Sequence, residues 1–387
     1  MHFCFVNMPI EYYSPVSGGA ISTIIMQVSK ELINLGHEVT VLTKKNSAET
    51  YNICEVVEIH APDKTDLSIF ERAKCKVLRK LESWDYPYYG LYLKSFSDAL
   101  KSLKKTPDVV IVFNDLVSSR FIRRLIPKVK IGVWLQNYQR TRNPDLRKTI
   151  AATDCFLTCS SHIRDWAIET HQIPPAKIVS AASGVDTSIF FPRQDWLEPS
   201  EHGAVRCVYV GRIDPNKGPD IALNAVLHLT KDEGCALTFT IAGDVWFYAN
   251  PGDERNAYRA KLLDGLKDLE QSSFLGHVPH SKIAEIFRDH DVAFVLTRLN
   301  EPFGLVSLEA MASGCAVIAS NRGGLPEACG SAGILVDPDT QEEVNQALRK
   351  LYTDKTWLNE QKKRGLERAK LATWLKTAQI VNDAFLN

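Results

Sequence analysis

Residues 206–220 read Arg-Cys-Val-Tyr-Val-Gly-Arg-Ile-Asp-Pro-Asn-Lys-Gly-Pro-Asp, from Arg206 to Asp220. A short apolar run over 206–210 passes into a loop bounded by Gly211 and Gly218, and an amphipathic stretch over 220–229 follows. That spacing predicts strand, loop and helix in immediate succession. Downstream the alternation continues, with strands expected at 238–242, 293–296, 316–319 and 334–336 and helices at 281–288, 305–312 and 342–351. Upstream, a strand at 2–8 precedes a helix over 20–35 carrying Ile21, Ile24, Ile25, Val28, Leu32 and Leu35, with Gly36 placed to cap its C-terminus. Strands at 39–42, 109–113, 131–135 and 155–159 follow. Short β-to-α connections of this kind build parallel, doubly wound sheets. Residues 183–203 hold Gly184, Pro192, Pro199 and Gly203 without a helical period and read as a linker. The expectation is two Rossmann-like α/β domains facing a central cleft, residues 1–190 and 204–372, with ligands at the carboxyl ends of the strands.

Composition narrows the class. The chain has 387 residues, of which 45% are hydrophobic, and 46 basic residues balance 46 acidic ones. A balanced charge removes the usual electrostatic basis for nucleic-acid binding, so no nucleic-acid partner is expected. No run of about 18 apolar residues is present. Met1 to Pro9 carries no basic leader and reads as a first strand. Nine cysteines, an odd number with no C-x-x-C pair, read as reduced core thiols and suggest a cytoplasmic compartment. Within the neutral total, residues 64–148 hold 19 basic and 8 acidic residues, partly interleaved with apolar ones. That tract reads either as solvated helix faces or as a surface drawn to anionic lipid or a phosphorylated acceptor.

Two segments carry chemistry. In the first, Arg212 and Lys217 lie five residues apart on one strand-to-helix loop. The planar fork of arginine and the compact ammonium of lysine suit a diphosphate whose charge grows as it leaves. The order of a P-loop, Gly-x4-Gly-Lys-Ser/Thr, is absent. In the second, Glu301-Pro-Phe303-Gly304-Leu305-Val306-Ser-Leu-Glu309 follows a strand and turns at Gly304 into a helix. The N–H groups of Gly304, Leu305 and Val306 would then point out of a helix N-terminus toward phosphate or sugar oxygens. Glu301 suits sugar hydroxyls, and Glu309 a vicinal diol such as ribose. No G-x-G-x-x-G opens either unit, which argues against a nicotinamide dehydrogenase.

Taken together with Gly18-Gly19, the string 35–42, Ser183-Gly184-Val185-Asp186 and Ala242-Gly243-Asp244, these segments resemble the retaining nucleotide-sugar glycosyltransferases of family 4, which have the GT-B fold. The resemblance runs through most of the chain. It implies that Arg212 and Lys217 bind the donor diphosphate, that Glu309 holds the ribose and that Glu301 contacts the transferred sugar. It also implies that the backbone of Phe303–Val306 approaches the donor, that Gly18 and Gly19 belong to a loop closing on it, and that Gly243 and Asp244 lie beside it. The backbone near His277-Val278 is a place for the base, and His162, His171, His277 and His280 read as surface or loop residues. Family members send their last helix back across the N-terminal domain, and residues 373–387, with Trp374, Ala378, Val381 and Phe385 on one face, suit that course.

One position departs from the pattern. Many members have a histidine after the strand at 109–113, where this sequence has Asn114-Asp115; the next strand is followed by Gln136-Asn137. Asn114, Asp115 and Asn137 are therefore the acceptor-side candidates, with Asp115 or the departing phosphate as proton acceptor and helix capping as the alternative for Asp115. The expected reaction is hexosyl transfer from a nucleoside diphosphate sugar, a UDP-sugar such as UDP-glucose being the family's commonest donor. The acceptor would be a saccharide or lipid-linked saccharide in polysaccharide or cell-envelope assembly, at the inner membrane face if the basic tract contacts lipid. No D-x-D-type acidic pair accompanies the motifs, so no metal and no cofactor are expected. The alternatives are a nucleotide-sugar epimerase or hydrolase, a pyridoxal-phosphate sugar phosphorylase, and a non-catalytic sugar-nucleotide binder.

Overall fold

The structure, a computed structural model, describes residues 1–9, 11–16, 19–45, 49–59, 67–81, 89–139, 146–198, 203–245 and 254–386. The chain divides into two compact units, Met1–Ala182 with Trp374–Asn387, and Ser183–Thr373.

The first unit holds seven strands: β1 (His2–Val6), β2 (Glu38–Lys44), β3 (Glu55–Ile59), β4 (Val109–Phe113), β5 (Lys130–Leu135), β6 (Cys155–Thr158) and β7 (Ile178–Ser180). Their order is β3-β2-β1-β4-β5-β6-β7, with every pairing parallel. The inner strands are apolar because helices cover both faces of such a sheet: all five residues of β1 and of β4 are buried. Helix Ala20–Asn34 turns Ile21, Ile24, Ile25, Val28 and Leu32 inward, and Gly36, at φ 86°, ends it.

The second unit holds β8 (Val205–Val210), β9 (Leu237–Ala242), β10 (Ser272–Gly276), β11 (Val292–Val295), β12 (Ala316–Ser320) and β13 (Ile334–Val336), in the order β10-β9-β8-β11-β12-β13, again all parallel. Its core packs Phe239, Ile241 and Phe294 of the sheet against Ile221, Val226 and Leu229 of helix Pro219–Lys231. In each sheet the winding reverses once, between β1 and β4 and between β8 and β11. The loops leaving those strand pairs diverge and open a crevice at the carboxyl edge.

The structure corrects the linker reading. Residues 183–198 lie in the second unit, which begins at Ser183 rather than at 204. Proline and glycine prevent regular structure there, but buried anchors hold the segment: Phe190 is 2% exposed, and Pro192 and Trp196 pack against the Cα of Gly314. Lys362 Nζ donates to Trp196 O at 2.6 Å. The same ammonium donates to Asp291 at 2.8 Å, and Arg206 Nε and Nη2 reach that carboxylate at 2.9 and 3.0 Å. This buried triad ties the amino ends of β8 and β11 to helix Lys355–Leu371, at the opposite edge of the sheet from the crevice. Burial alone would raise the Asp291 carboxyl, but the two cations hold it down at about 2.

Helix Trp374–Leu386 belongs to the first unit and buries Trp374, Ala378, Val381 and Phe385. The Phe385 ring lies against Gly132 of β5, where a Cβ would stand 2.8 Å from Cζ, and Lys130 Nζ donates to Phe385 O at 2.7 Å. Eight of the nine cysteines are buried, and all nine are free thiols.

Candidate active site

The second unit's crevice is built from the loops leaving β8, β9, β10 and β11. At its floor the loops after β8 and β9 touch: a Cβ on Gly243, at φ 144°, would collide with the carbonyl oxygen of Gly211. Only glycine allows that approach, and Gly211 N–H donates to Ala242 O while Ile213 N–H donates to Asp244 O, both at 3.0 Å. Arg212 follows at once, its side chain 37% exposed and its Nε 4.0 Å from Asp214. Asp214 caps the short 3-10 turn Pro215–Lys217 by accepting from Asn216 N–H. Lys217 is thereby fixed at the rim, and its Nζ pairs with Glu301 Oε2 at 2.5 Å.

The loop after β11 is stitched to this one. Asn216 O accepts from Arg298 N–H and from Thr297 Oγ1, both at 2.9 Å. The Arg298 guanidinium forks onto Asp220 at 2.9 and 2.7 Å, and Tyr258 Oη donates to the same carboxylate at 2.5 Å. Burial alone would raise the Asp220 carboxyl, but Arg298 and Tyr258 pull it below its ordinary value. Beyond Glu301, Gly304 at φ 98° starts helix Leu305–Ala312, whose N-terminus no side chain caps. Its first amides are left for an outside acceptor. Glu309, on the same helix, is 4% exposed, and its Oε1 lies 2.8 Å from Nε2 of His280. Burial alone would lower the His280 pKa; the hydrogen bond and charge of Glu309 raise it above its ordinary value.

Two family models divide the chain. "Glycosyl transferases group 1" matches residues 193–370, and "Glycosyltransferase Family 4" matches residues 18–189. The chain belongs to glycosyltransferase family 4. Among its relatives, the D-inositol 3-phosphate glycosyltransferase of Stackebrandtia nassauensis is 28% identical over 63% of this chain and 56% of its own length. The corresponding enzyme of Corynebacterium glutamicum is 30% identical over 55% of the chain and 53% of its own length, so the chain spans about half of these two relatives. The lipopolysaccharide 1,2-N-acetylglucosaminetransferase of Salmonella typhimurium is 24% identical over 91% of the chain and 89% of its own length. In structure the chain resembles sucrose-phosphate synthase from Thermosynechococcus elongatus, with a TM-score of 0.74, 18% identity, and coverage of 99% and 98% of the two chains. It also resembles Anabaena HepE in complex with UDP and glucose, with a TM-score of 0.70, 16% identity and 98% coverage of each. These likenesses give the glycosyltransferase the GT-B fold.

Within the second unit of this family 4 glycosyltransferase, Arg212, Lys217, Gly243, Asp244, Glu301, Phe303, Gly304, Leu305 and Val306 lie on loops or helix ends at the carboxyl edge of the sheet, and Glu309 lies one turn further along helix Leu305–Ala312. Val278 lies at that edge too, after β10. Asp244 is committed to structure there, since Arg259 Nε donates to it at 2.5 Å and Val245 N–H at 2.8 Å. In the first unit, Gly18 lies outside the described residues. Gly19 precedes helix Ala20–Asn34, whose N-terminus is occupied by Glu11: Oε1 accepts from Ser22 N–H at 3.1 Å. Asn114 and Asp115 follow β4, and Asn137 is exposed two residues beyond β5. The carboxylate of Asp115 caps helix Ser118–Leu125, accepting from Val117 and Ser118 N–H at 2.8 and 2.9 Å and from Ser118 Oγ at 2.5 Å. That is the capping alternative, and it leaves no oxygen of Asp115 disengaged for a proton-transfer role.

Asp220 and Arg298, which brace the Lys217 loop, escaped the sequence reading; His280 is exposed, as expected of a surface residue, but its pairing with the buried Glu309 was not foreseen. The signal for His280 was indirect, since a glutamate buried inside an apolar helix needs a polar partner. The raised His280 pKa carries a prediction. The stabilisation this pair gives the fold is complete below about pH 6.5, the ordinary histidine value, and is lost as pH rises through the higher folded value. His280→Gln should therefore lower the thermal midpoint more in mildly acidic than in alkaline solution.

Proposed function

We propose that the chain transfers a hexosyl group from a nucleoside diphosphate sugar, a UDP-sugar, to a hydroxyl of a saccharide or lipid-linked saccharide, with retention of configuration. The observation that carries this reading is the convergence of Arg212, Lys217 and the uncapped N-terminus of helix Leu305–Ala312 at the point where the second sheet reverses. HepE, bound to UDP and glucose, supports the choice of donor.

Before donor binds, Glu301 neutralises Lys217. Entry of the diphosphate draws the ammonium onto phosphate oxygens, and Glu301 is released to accept hydrogen bonds from sugar hydroxyls. Glu309, oriented by His280, accepts from the ribose diol, and the backbone near Val278 meets the base. As the C–O bond to phosphate breaks, negative charge collects on the leaving oxygen and the anomeric carbon becomes oxocarbenium-like. Arg212, Lys217 and the amides of Gly304, Leu305 and Val306 stabilise that charge, which removes the need for a metal. The acceptor hydroxyl attacks from the face the phosphate leaves, passing its proton to the departing phosphate oxygen.

The site of action is the cytoplasmic face of a membrane. No described helix is long and apolar enough to cross one. Helix Ile69–Leu81, started by a reciprocal Ser68–Glu71 cap, exposes Ile69, Phe70 and Val77 at 80, 87 and 58% within the basic tract. Phe70 and Val77 share one helix face, which suits an interfacial contact with anionic lipid. Phe70→Glu should abolish co-sedimentation with phosphatidylglycerol vesicles, and neutral vesicles should not bind the unmodified chain.

A thermal-shift screen of nucleotide sugars tests the donor: a ligand at a hundred times its dissociation constant adds about 2.7 kcal/mol, and UDP-glucose should give a clear rise. Transfer should persist in EDTA, and nuclear magnetic resonance should show the retained anomer. An inverted product, or rapid donor turnover without any acceptor, refutes the reading.

A further inference from the structure

The carboxyl edge of the first sheet holds polar groups that the scheme above leaves unused. β4 and β5 are neighbours, and the residues that follow them are Asn114 and Gln136. Asn114 is buried in the left-handed region, at φ 48°, where its Oδ1 accepts the backbone N–H of Gln136 at 2.7 Å. The Gln136 side chain is itself only 7% exposed, and its Nε2 is buried with no acceptor. Asn114 Nδ2 reaches only the sulfur of Met8, at 3.5 Å, a weak acceptor. Two amide groups beside each other in the fold are thus rich in donors and poor in acceptors.

A cation stands at the same edge. Helix Ser118–Leu125 begins there, directly after β4, and Arg120 lies in its first turn. Helical side chains lean toward the N-terminus of their helix, so this one leans back to the edge of the sheet. Its Nε and Nη2 are buried, and neither has a hydrogen-bond partner. The carboxylate closest in sequence, Asp115, has both oxygens committed to the helix cap. Buried guanidinium N–H groups without acceptors are costly, as is a buried amide left unpaired. Helix Ser118–Leu125 packs against β5, so the helix start that carries Arg120 and the strand end that precedes Gln136 share one edge of the sheet, and unpaired donors there are complementary to oxygens carrying negative charge.

We propose that Arg120 and Gln136 form a subsite for an anionic oxygen group, a phosphate or a carboxylate, on the acceptor substrate. The proposal deepens the acceptor half of the reading above and rests on it. The guanidinium fork engages two oxygens of the anion, and the Gln136 amide donates to an oxygen of the same group or a hydroxyl beside it. A neutral acceptor would leave the buried donors unpaired, so the subsite selects charged acceptors over neutral ones.

The test uses the full chain carrying Arg212→Ala and Lys217→Ala, which removes the phosphate-binding cations of the second unit. Inorganic phosphate and, separately, glucuronate are titrated by calorimetry, with the thermal midpoint as a second readout. One of the two anions should bind, phosphate identifying a phosphorylated acceptor and glucuronate a uronic acid. Arg120→Gln should weaken that binding at least tenfold, Gln136→Leu should weaken it measurably, and Arg120→Lys should restore part of it. Binding indifferent to both Arg120→Gln and Gln136→Leu overturns the proposal, as does failure of both anions to bind. Should the background variant keep full transfer activity, the reading of the donor site fails while the titration still reports on Arg120.

Discussion

Arg212→Ala and Lys217→Ala should each lower kcat by about a hundredfold or more, equal to roughly 3 kcal/mol at the transition state. The effect belongs in kcat because the interaction strengthens as the diphosphate departs; a loss confined to KM would mean that the cations bind donor and transition state equally. Lys217 carries a second consequence. With its Nζ removed, Glu301 loses the partner it holds at 2.5 Å, and an unopposed carboxylate then faces the incoming phosphates. Lys217→Ala should therefore raise the donor KM more than Arg212→Ala, and the double variant Lys217→Ala with Glu301→Gln should recover part of that loss. Steady-state kinetics with donor and acceptor varied separately measure both effects.

The second large effect is on stability. Asp291 lies between Arg206 and Lys362, and Lys362 is only 2% exposed. Asp291→Ala leaves two cations with no counter-charge, one of them fully enclosed, and breaking a buried pair in this way costs about 3–5 kcal/mol. Urea unfolding followed by tryptophan fluorescence should show the loss, because Trp196 is tethered through the same ammonium. The pH dependence has a definite sign. The folded-state pKa of Asp291 is depressed to about 2, so its contribution is complete above the unfolded value of about 3.9. It is lost as pH falls through that window. The variant should lack this part of the acid transition.

Much of the architecture was legible from periodicity. The strands at 109–113 and 334–336 and the helix at 305–312 coincide with the observed elements, because buried parallel strands are continuous apolar runs and their flanking loops carry glycine. Edge strands were missed for the same physical reason. In Glu55–Ile59 exposed glutamates interrupt the run, Ile178–Ser180 is three residues long, and Ser272–Gly276 opens on two serines. Helix Lys355–Leu371 is so polar that no apolar stripe announces it. At the site, glycine and charge placed the Arg212 loop and the turn at Gly304, since both motifs act through local backbone. The pairing of Lys217 with Glu301, 84 residues apart, and of His280 with Glu309, 29 apart, was not visible: side-chain partnership across loops depends on which strands become neighbours. The segment 183–198 misled because proline and glycine report the absence of regular structure, not the absence of packing.

The return of helix Trp374–Leu386 to the first unit has a consequence for biogenesis. The groove at Gly132 that receives Phe385 is made by residues synthesised some 250 positions earlier, so a nascent chain emerging from the ribosome carries that apolar surface uncovered while the whole second unit is translated. Truncation before residue 374 would make the exposure permanent, and a chain cut there should be found with chaperones or in inclusion bodies.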